Sequence, residues 1–112
     1  MEFTLSASDG ATIITVEAAR IDAAVAIRFK DLMQQATEGL DGRVILDLTQ
    51  VDFIDSSGLG AIVASMKQLQ PGQQLELAAL NTNVDKVFRL TRMDTVFPIH
   101  SDISAAVASH AR

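Results

Sequence analysis

Val44-Ile45-Leu46-Asp47-Leu48 restricts the fold of this chain more than any other segment. A nearly continuous apolar run has no polar face to turn to water, so as a strand it needs cover on both sides. Helical patterns stand on either flank. Before the run, Val25, Phe29, Leu32, Met33, Ala36 and Leu40 recur at helical spacing, with Asp22 as the expected N-cap, a stop around Gly39 and an Asp41-Gly42 turn. Earlier still, Phe3, Leu5 and Ala7 alternate with Thr4, Ser6 and Ser8. Asp9-Gly10 is then a two-residue turn signal leading to a return strand over residues 12–18 with Ile13, Ile14 and Val16. Strand, long helix and buried strand in succession form a βαβ crossover, which makes the sheet mixed and places the apolar run near its centre.

Beyond the run, Leu59, Ile62, Val63, Met66 and Leu69 share one face of a second helix that ends before Pro71-Gly72. Leu75, Leu77 and Ala79 alternate as a further strand. Asn81 or Asn83 caps a third helix that turns Val84, Val87, Phe88 and Thr91 inward and Lys86, Arg89 and Arg92 outward. Residues 95–99 read as a short strand at a sheet edge, because Pro98 has no N–H for a ladder. Ser101 or Asp102 caps a last helix with Ile103, Ala106 and Val107 apolar. The expected fold is one α/β domain over residues 1–112, a small mixed β-sheet of four to five strands packed with about four helices.

Composition narrows the function classes. Of the 112 residues 48% are hydrophobic and 21% charged, which excludes disorder, and the apolar runs are too short to span a bilayer, so a soluble protein without membrane insertion is expected. Nine basic residues against fourteen acidic ones leave a net charge of −5 with no Lys/Arg cluster. A nucleic-acid partner needs a basic face to meet its phosphates, so partners are expected to be proteins. The absence of cysteine removes disulfides, thiolate nucleophiles and cysteine-ligated zinc. Met1-Glu2-Phe3-Thr4 has neither a basic region nor an apolar core behind it, which points away from a signal peptide and towards the cytoplasm.

Chemistry concentrates in Val51-Asp52-Phe53-Ile54-Asp55-Ser56-Ser57-Gly58-Leu59-Gly60, between the central strand and the second helix. Small polar residues and glycines there suit a sharp turn, a helix cap and a hydroxyl left in water. Catalytic motifs fail on what is missing. A nucleophile elbow needs glycine two residues before the serine, whereas Ile54 precedes Ser56 and Asp55 precedes Ser57 at that spacing. The two histidines, His100 and His110, lie near the C-terminal end, with nothing to place either beside Ser56 as a base. Gly58-Leu59-Gly60 would need a third glycine where Val63 stands, and no Walker lysine occurs. Asp52 and Asp55 are expected to point apart and, with Asp47, to form turns and caps. Neither a metal site nor a cofactor is expected.

Two readings remain on physical grounds. In one, Asp55-Ser56-Ser57-Gly58 merely starts a helix, with Asp55 or Ser56 capping and Gly58 easing the turn. In the other, Ser56 accepts a phosphoryl group at a helix N-terminus whose dipole favours negative charge by about 0.3 to 1 kcal/mol. A phosphate adds about −1.5 to −2 charges beside Asp55 and Asp22, so repulsion offsets the dipole and stability changes little. At an interface the same dianion must be desolvated, and there it decides binding. Gly60, Ala61 and Ala64 would leave a smooth contact surface beside Ser57, Ser65 and Lys67.

The run of residues 51–60 resembles the signature of the STAS domain family, whose best-known members are bacterial anti-sigma factor antagonists. Arg20-Ile21-Asp22 is similar to the family's G-x-[LI]-D segment, residues 44–48 to its central strand and residues 83–92 to its third helix. The resemblance implies a single STAS-like domain in which Ser56 is phosphorylated and Ser57 assists. Asp22, Asp55 and Gly58 would shape that environment, and Leu59, Gly60, Ala61 and Ala64 would contact the partner. It implies a kinase substrate rather than an enzyme: the unphosphorylated chain binds an anti-sigma factor that is also a serine kinase, phosphorylation releases it, and a serine phosphatase resets the switch. The alternative within the family is a subunit docked constitutively on a membrane transporter.

Overall fold

A computed structural model describes residues 1–109. Strands β1 (Glu2–Ser8), β2 (Ala11–Glu17), β4 (Arg43–Asp47), β6 (Gln74–Ala78) and β7 (Ile99–His100) form one sheet in the order β1-β2-β4-β6-β7. The β1/β2 hairpin is antiparallel and every other pairing is parallel. The sheet is therefore mixed, with β4 at its centre. Asp9 and Gly10 close the hairpin with φ of 49° and 80°, the left-handed pair that a two-residue turn needs to match strand twist.

Helices α1 (Ala26–Thr37), α2 (Ser56–Lys67) and α3 (Thr82–Leu90) cover one face. Phe29 and Met33 of α1, Ile62 of α2 and Val84 and Phe88 of α3 pack there with Ile14, Val16, Val44, Leu46 and Leu77. The six-residue helix α4 (Ile103–Ala108) covers the other face, where Ala106 meets Ala11, Ile13, Ile45 and Ala78. This is why Val44, Ile45 and Leu46 are all buried: neighbours on one strand face opposite layers, and each layer has a helix.

Several expectations are corrected. Asp22 does not cap α1, whose N-cap is Val25 with no side-chain bond. Its Oδ1 instead accepts from the Ala24 N–H at 3.1 Å and its carbonyl from Val25 at 3.0 Å, a turn that delays the helix by one turn. Residues 95–99 are not one strand. A 3-10 turn occupies Met93–Thr95, and only Ile99–His100 pairs with the sheet edge. On α2 the fully buried residues are Gly58, Ala61, Ile62 and Ser65, while Leu59, Val63 and Met66 are half-buried, as is Leu69, which lies beyond the helix end at Lys67.

The fourth strand of the main sheet is covered on both faces. Glu76, 4% exposed, points under α4, where Arg43 Nε and Nη2 donate to its two oxygens, each at 2.7 Å. His100 Nε2 lies 2.7 Å from Glu76 Oε1, and Arg43 Nη2 also donates to the Ala106 carbonyl at 2.6 Å. Burial alone would push the Glu76 carboxyl up. The Arg43 and His100 hydrogen bonds and charges outweigh it and hold the group below the ordinary carboxylate range. Asn81 and Asp102 cap α3 and α4, accepting from Val84 and Ala105.

Candidate functional site

The corner around Ser56 is built on two residues per strand. Arg20–Ile21 (β3) pairs in parallel with Phe53–Ile54 (β5), Arg20 opposite Phe53 and Ile21 opposite Ile54. The two isoleucines enter the core, and the alternating pair faces water. There the Arg20 guanidinium lies 4.2 Å above the Phe53 ring, and its Nε donates to Asp22 Oδ2 at 3.2 Å. Ala19 anchors the ribbon by accepting from the Asp52 and Phe53 N–H groups at 2.8 and 3.2 Å.

Asp55 joins this ribbon to α2. It is the N-cap: Oδ1 accepts from the Gly58 N–H at 2.8 Å, while Oδ2 accepts from the Ala23 N–H at 3.1 Å across the corner. One carboxylate thus caps the helix and ties it to the segment after β3. The Gly58 hydrogen bond, with those from Ala23 and Ser57 and the charge of Arg20, overcomes desolvation and lowers the Asp55 pKa below its ordinary value.

Gly58 has a different reason from an eased turn. A Cβ at this position would lie 1.9 Å from the Ile21 carbonyl oxygen, a backbone atom, so only glycine lets α2 approach β3 this closely. With Asp55 capping, Ser56 is the first residue of α2. Ser56, Ser57 and Gly60 are exposed, and Asp22, Asp55, Leu59 and Ala64 are half-buried. Ala61 is corrected as a contact residue, since it is 3% exposed and packs in the core. Ser65 is buried as well, its hydroxyl donating to the Ala61 carbonyl at 2.8 Å. Small side chains on α2 therefore divide between close packing, at Gly58, Ala61 and Ser65, and surface, at Gly60 and Ala64.

The remaining candidates lie apart. Asp47 accepts from Thr15 Oγ1 and from the Thr49 N–H, and Asp52 from Asn81 Nδ2 at 3.3 Å. His100 is bound to Glu76 on the α4 face, and His110 lies outside the described residues. Arg20 and Phe53 were missed as members of this corner. Their signal was Arg20 two residues before Asp22 and an aromatic two residues before Asp55, the period that puts all four on one side of an extended pair.

The architecture defines a class: a small mixed α/β domain that presents a serine in water at the start of a helix clamped to a short parallel ribbon. The STAS domain model matches residues 2–106, and the chain belongs to the STAS domain family. It is 31% identical over 110 residues to BtrV of Bordetella bronchiseptica, which is named as an anti-sigma factor antagonist, with 97% of this chain and 94% of that protein covered. A crystal structure of a Thermotoga maritima protein described in the same terms is 27% identical, with a TM-score of 0.84 over 98% of this chain and 95% of that one. The unphosphorylated form of the anti-sigma factor antagonist SpoIIAA has the same fold, with a TM-score of 0.73 at 19% identity over 99% of this chain and all of that one. Among the described residues no helix is long and apolar enough to cross a membrane.

Proposed function

We propose that this protein is a cytoplasmic anti-sigma factor antagonist that works by partner switching, with Ser56 as phosphoacceptor. Unphosphorylated, it binds an anti-sigma factor that is also a serine kinase. That kinase moves the γ-phosphoryl group of ATP to Ser56 Oγ: the new P–O bond replaces the bond to the β-phosphate, the hydroxyl proton passes to the kinase's base, and ADP leaves. A serine phosphatase restores the hydroxyl by hydrolysis. The protein is a substrate in this cycle and not a catalyst.

The observation that carries this reading is the division of labour between Asp55 and Ser56. Asp55 caps α2, so the fold has no need of the neighbouring hydroxyl, which sits exposed at the helix N-terminus. The name of the BtrV relative points the same way. Ser57, Gly58, Leu59, Gly60 and Ala64 serve around the acceptor as partner surface and support. A dianion at their centre must shed its water on docking, which ends binding without refolding.

Intact mass after incubation with the cognate kinase and ATP tests the assignment. One added phosphate is expected on the wild-type protein and none on Ser56→Ala. A phosphate that survives the substitution overturns the site.

A further inference from the structure

We infer that Arg20 is the built-in counter-ion for a phosphate on Ser56, exchanging its bond to Asp22 for one to the phosphoryl oxygens. The inference rests on the phosphorylation proposed above and says what the rest of the corner does when it occurs.

Position comes first. Residues two apart on an extended strand face the same side, so Arg20 and Asp22 project from one chain and Phe53 and Asp55 from the other into a common space. Two contacts bear this out: the Arg20 guanidinium over the Phe53 ring at 4.2 Å, and its Nε on Asp22 at 3.2 Å. Because β3 and β5 run parallel, the reach from Arg20 to Asp22 is a reach towards the end of the ribbon where Asp55 and Ser56 follow Phe53. The charge of Arg20 already acts on Asp55, the residue before the acceptor. Lys67, by contrast, is the last residue of α2, eleven positions from Ser56, or roughly 16 Å along the helix. Arg28 lines a cleft against Glu2, Phe3 and Leu5 of β1.

Chemistry comes second. The Arg20 side chain is 60% exposed and its pair with Asp22 is a single surface contact, the kind that adds little stability and exchanges readily. A phosphate offers two charges and three oxygens to a planar fork of donors, a better match than one carboxylate oxygen. Stacking on Phe53 restrains the guanidinium plane beforehand, so less rotamer freedom is lost in the exchange. The exchange has two consequences. It offsets the repulsion that a dianion meets from Asp55, and it leaves Asp22 without its cation, so part of the added negative charge reappears on the Asp22 carboxylate while the net change stays that of the phosphate.

The test installs phosphoserine at position 56 during translation, without a kinase, and titrates its phosphorus NMR resonance. The second phosphate pKa, about 6 for an unperturbed phosphoserine, is expected to lie lower in the protein with Arg20 than in Arg20→Gln, by about half a unit. Arg20→Lys is expected between them, and 1 M NaCl should narrow the gap. The thermal midpoint of each variant confirms that it is folded. Equal phosphate pKa values in folded wild type and Arg20→Gln overturn the inference. A kinase that fails to label Ser56 would count against the proposed function and leave this titration unaffected.

Discussion

Two charged clusters in this molecule are built from similar residues and do opposite things. Under α4, Glu76 spends both oxygens on Arg43 and His100, and Arg43 closes the set on the Ala106 carbonyl. At the Ser56 corner, Asp55 is satisfied by backbone N–H groups, while Arg20 and Asp22 hold each other at the surface. The first cluster is buried and saturated, so any change in its charge strands a partner out of water. The second is wet and has bonds to exchange. A charge can be added cheaply only where the existing ones are exposed, which is why a phosphate suits one cluster and would wreck the other.

Breaking the buried cluster should have the largest effect. Glu76→Ala leaves Arg43 buried without its carboxylate and is expected to cost about 3 to 5 kcal/mol of stability by urea denaturation. Phosphate uptake at Ser56 in the surviving folded fraction should persist. Acid should reveal the same dependence. Both Glu76 and Asp55 have folded pKa values below their ordinary ones, so each contributes stability above the ordinary carboxylate range near about pH 4 that is lost as pH falls through the depressed values. The Glu76→Ala variant should show a shallower acid limb.

Gly58→Ala comes next and tests how the open corner is held. Helix propensity alone favours alanine by about 1 kcal/mol. A Cβ 1.9 Å from the Ile21 carbonyl must push α2 off β3, and a net loss of about 2 kcal/mol is expected. A neutral or stabilising outcome would mean that α2 does not seat this tightly.

These contrasts also mark what was legible in the sequence. The Asp9-Gly10 hairpin, the buried run at β4 and the Asn81 cap depend on neighbours a few residues away, and periodicity carries them. The β3/β5 ribbon does not. Its strands are two residues long and 33 positions apart, so their pairing is set by where β4 and α2 hold them. Missing it, Asp22 reads as a helix cap when it is in fact the exit from a strand. Glu76 looks like the outward half of an alternation, and only α4, nearly thirty residues on, turns outward into buried. Ala61 failed for a related reason: a small side chain on a helix reads equally as surface or as close packing, and the layer beneath decides. Ser56, Ser57 and Gly60 are exposed, and the sequence shows it, because the polar end of a strand-to-helix turn has nowhere else to go.

The smallest structural effect should come at the centre of the account. Ser56 carries no cap, so replacing it by alanine should change stability by less than about 0.5 kcal/mol. Binding should not share that indifference. The most direct measurement is the affinity of the cognate anti-sigma factor for the unmodified protein and for the protein carrying phosphoserine at position 56, with thermal unfolding of both recorded alongside. The account predicts binding weakened at least a hundredfold, about 2.7 kcal/mol, between two proteins of nearly equal stability. Equal affinities would contradict it.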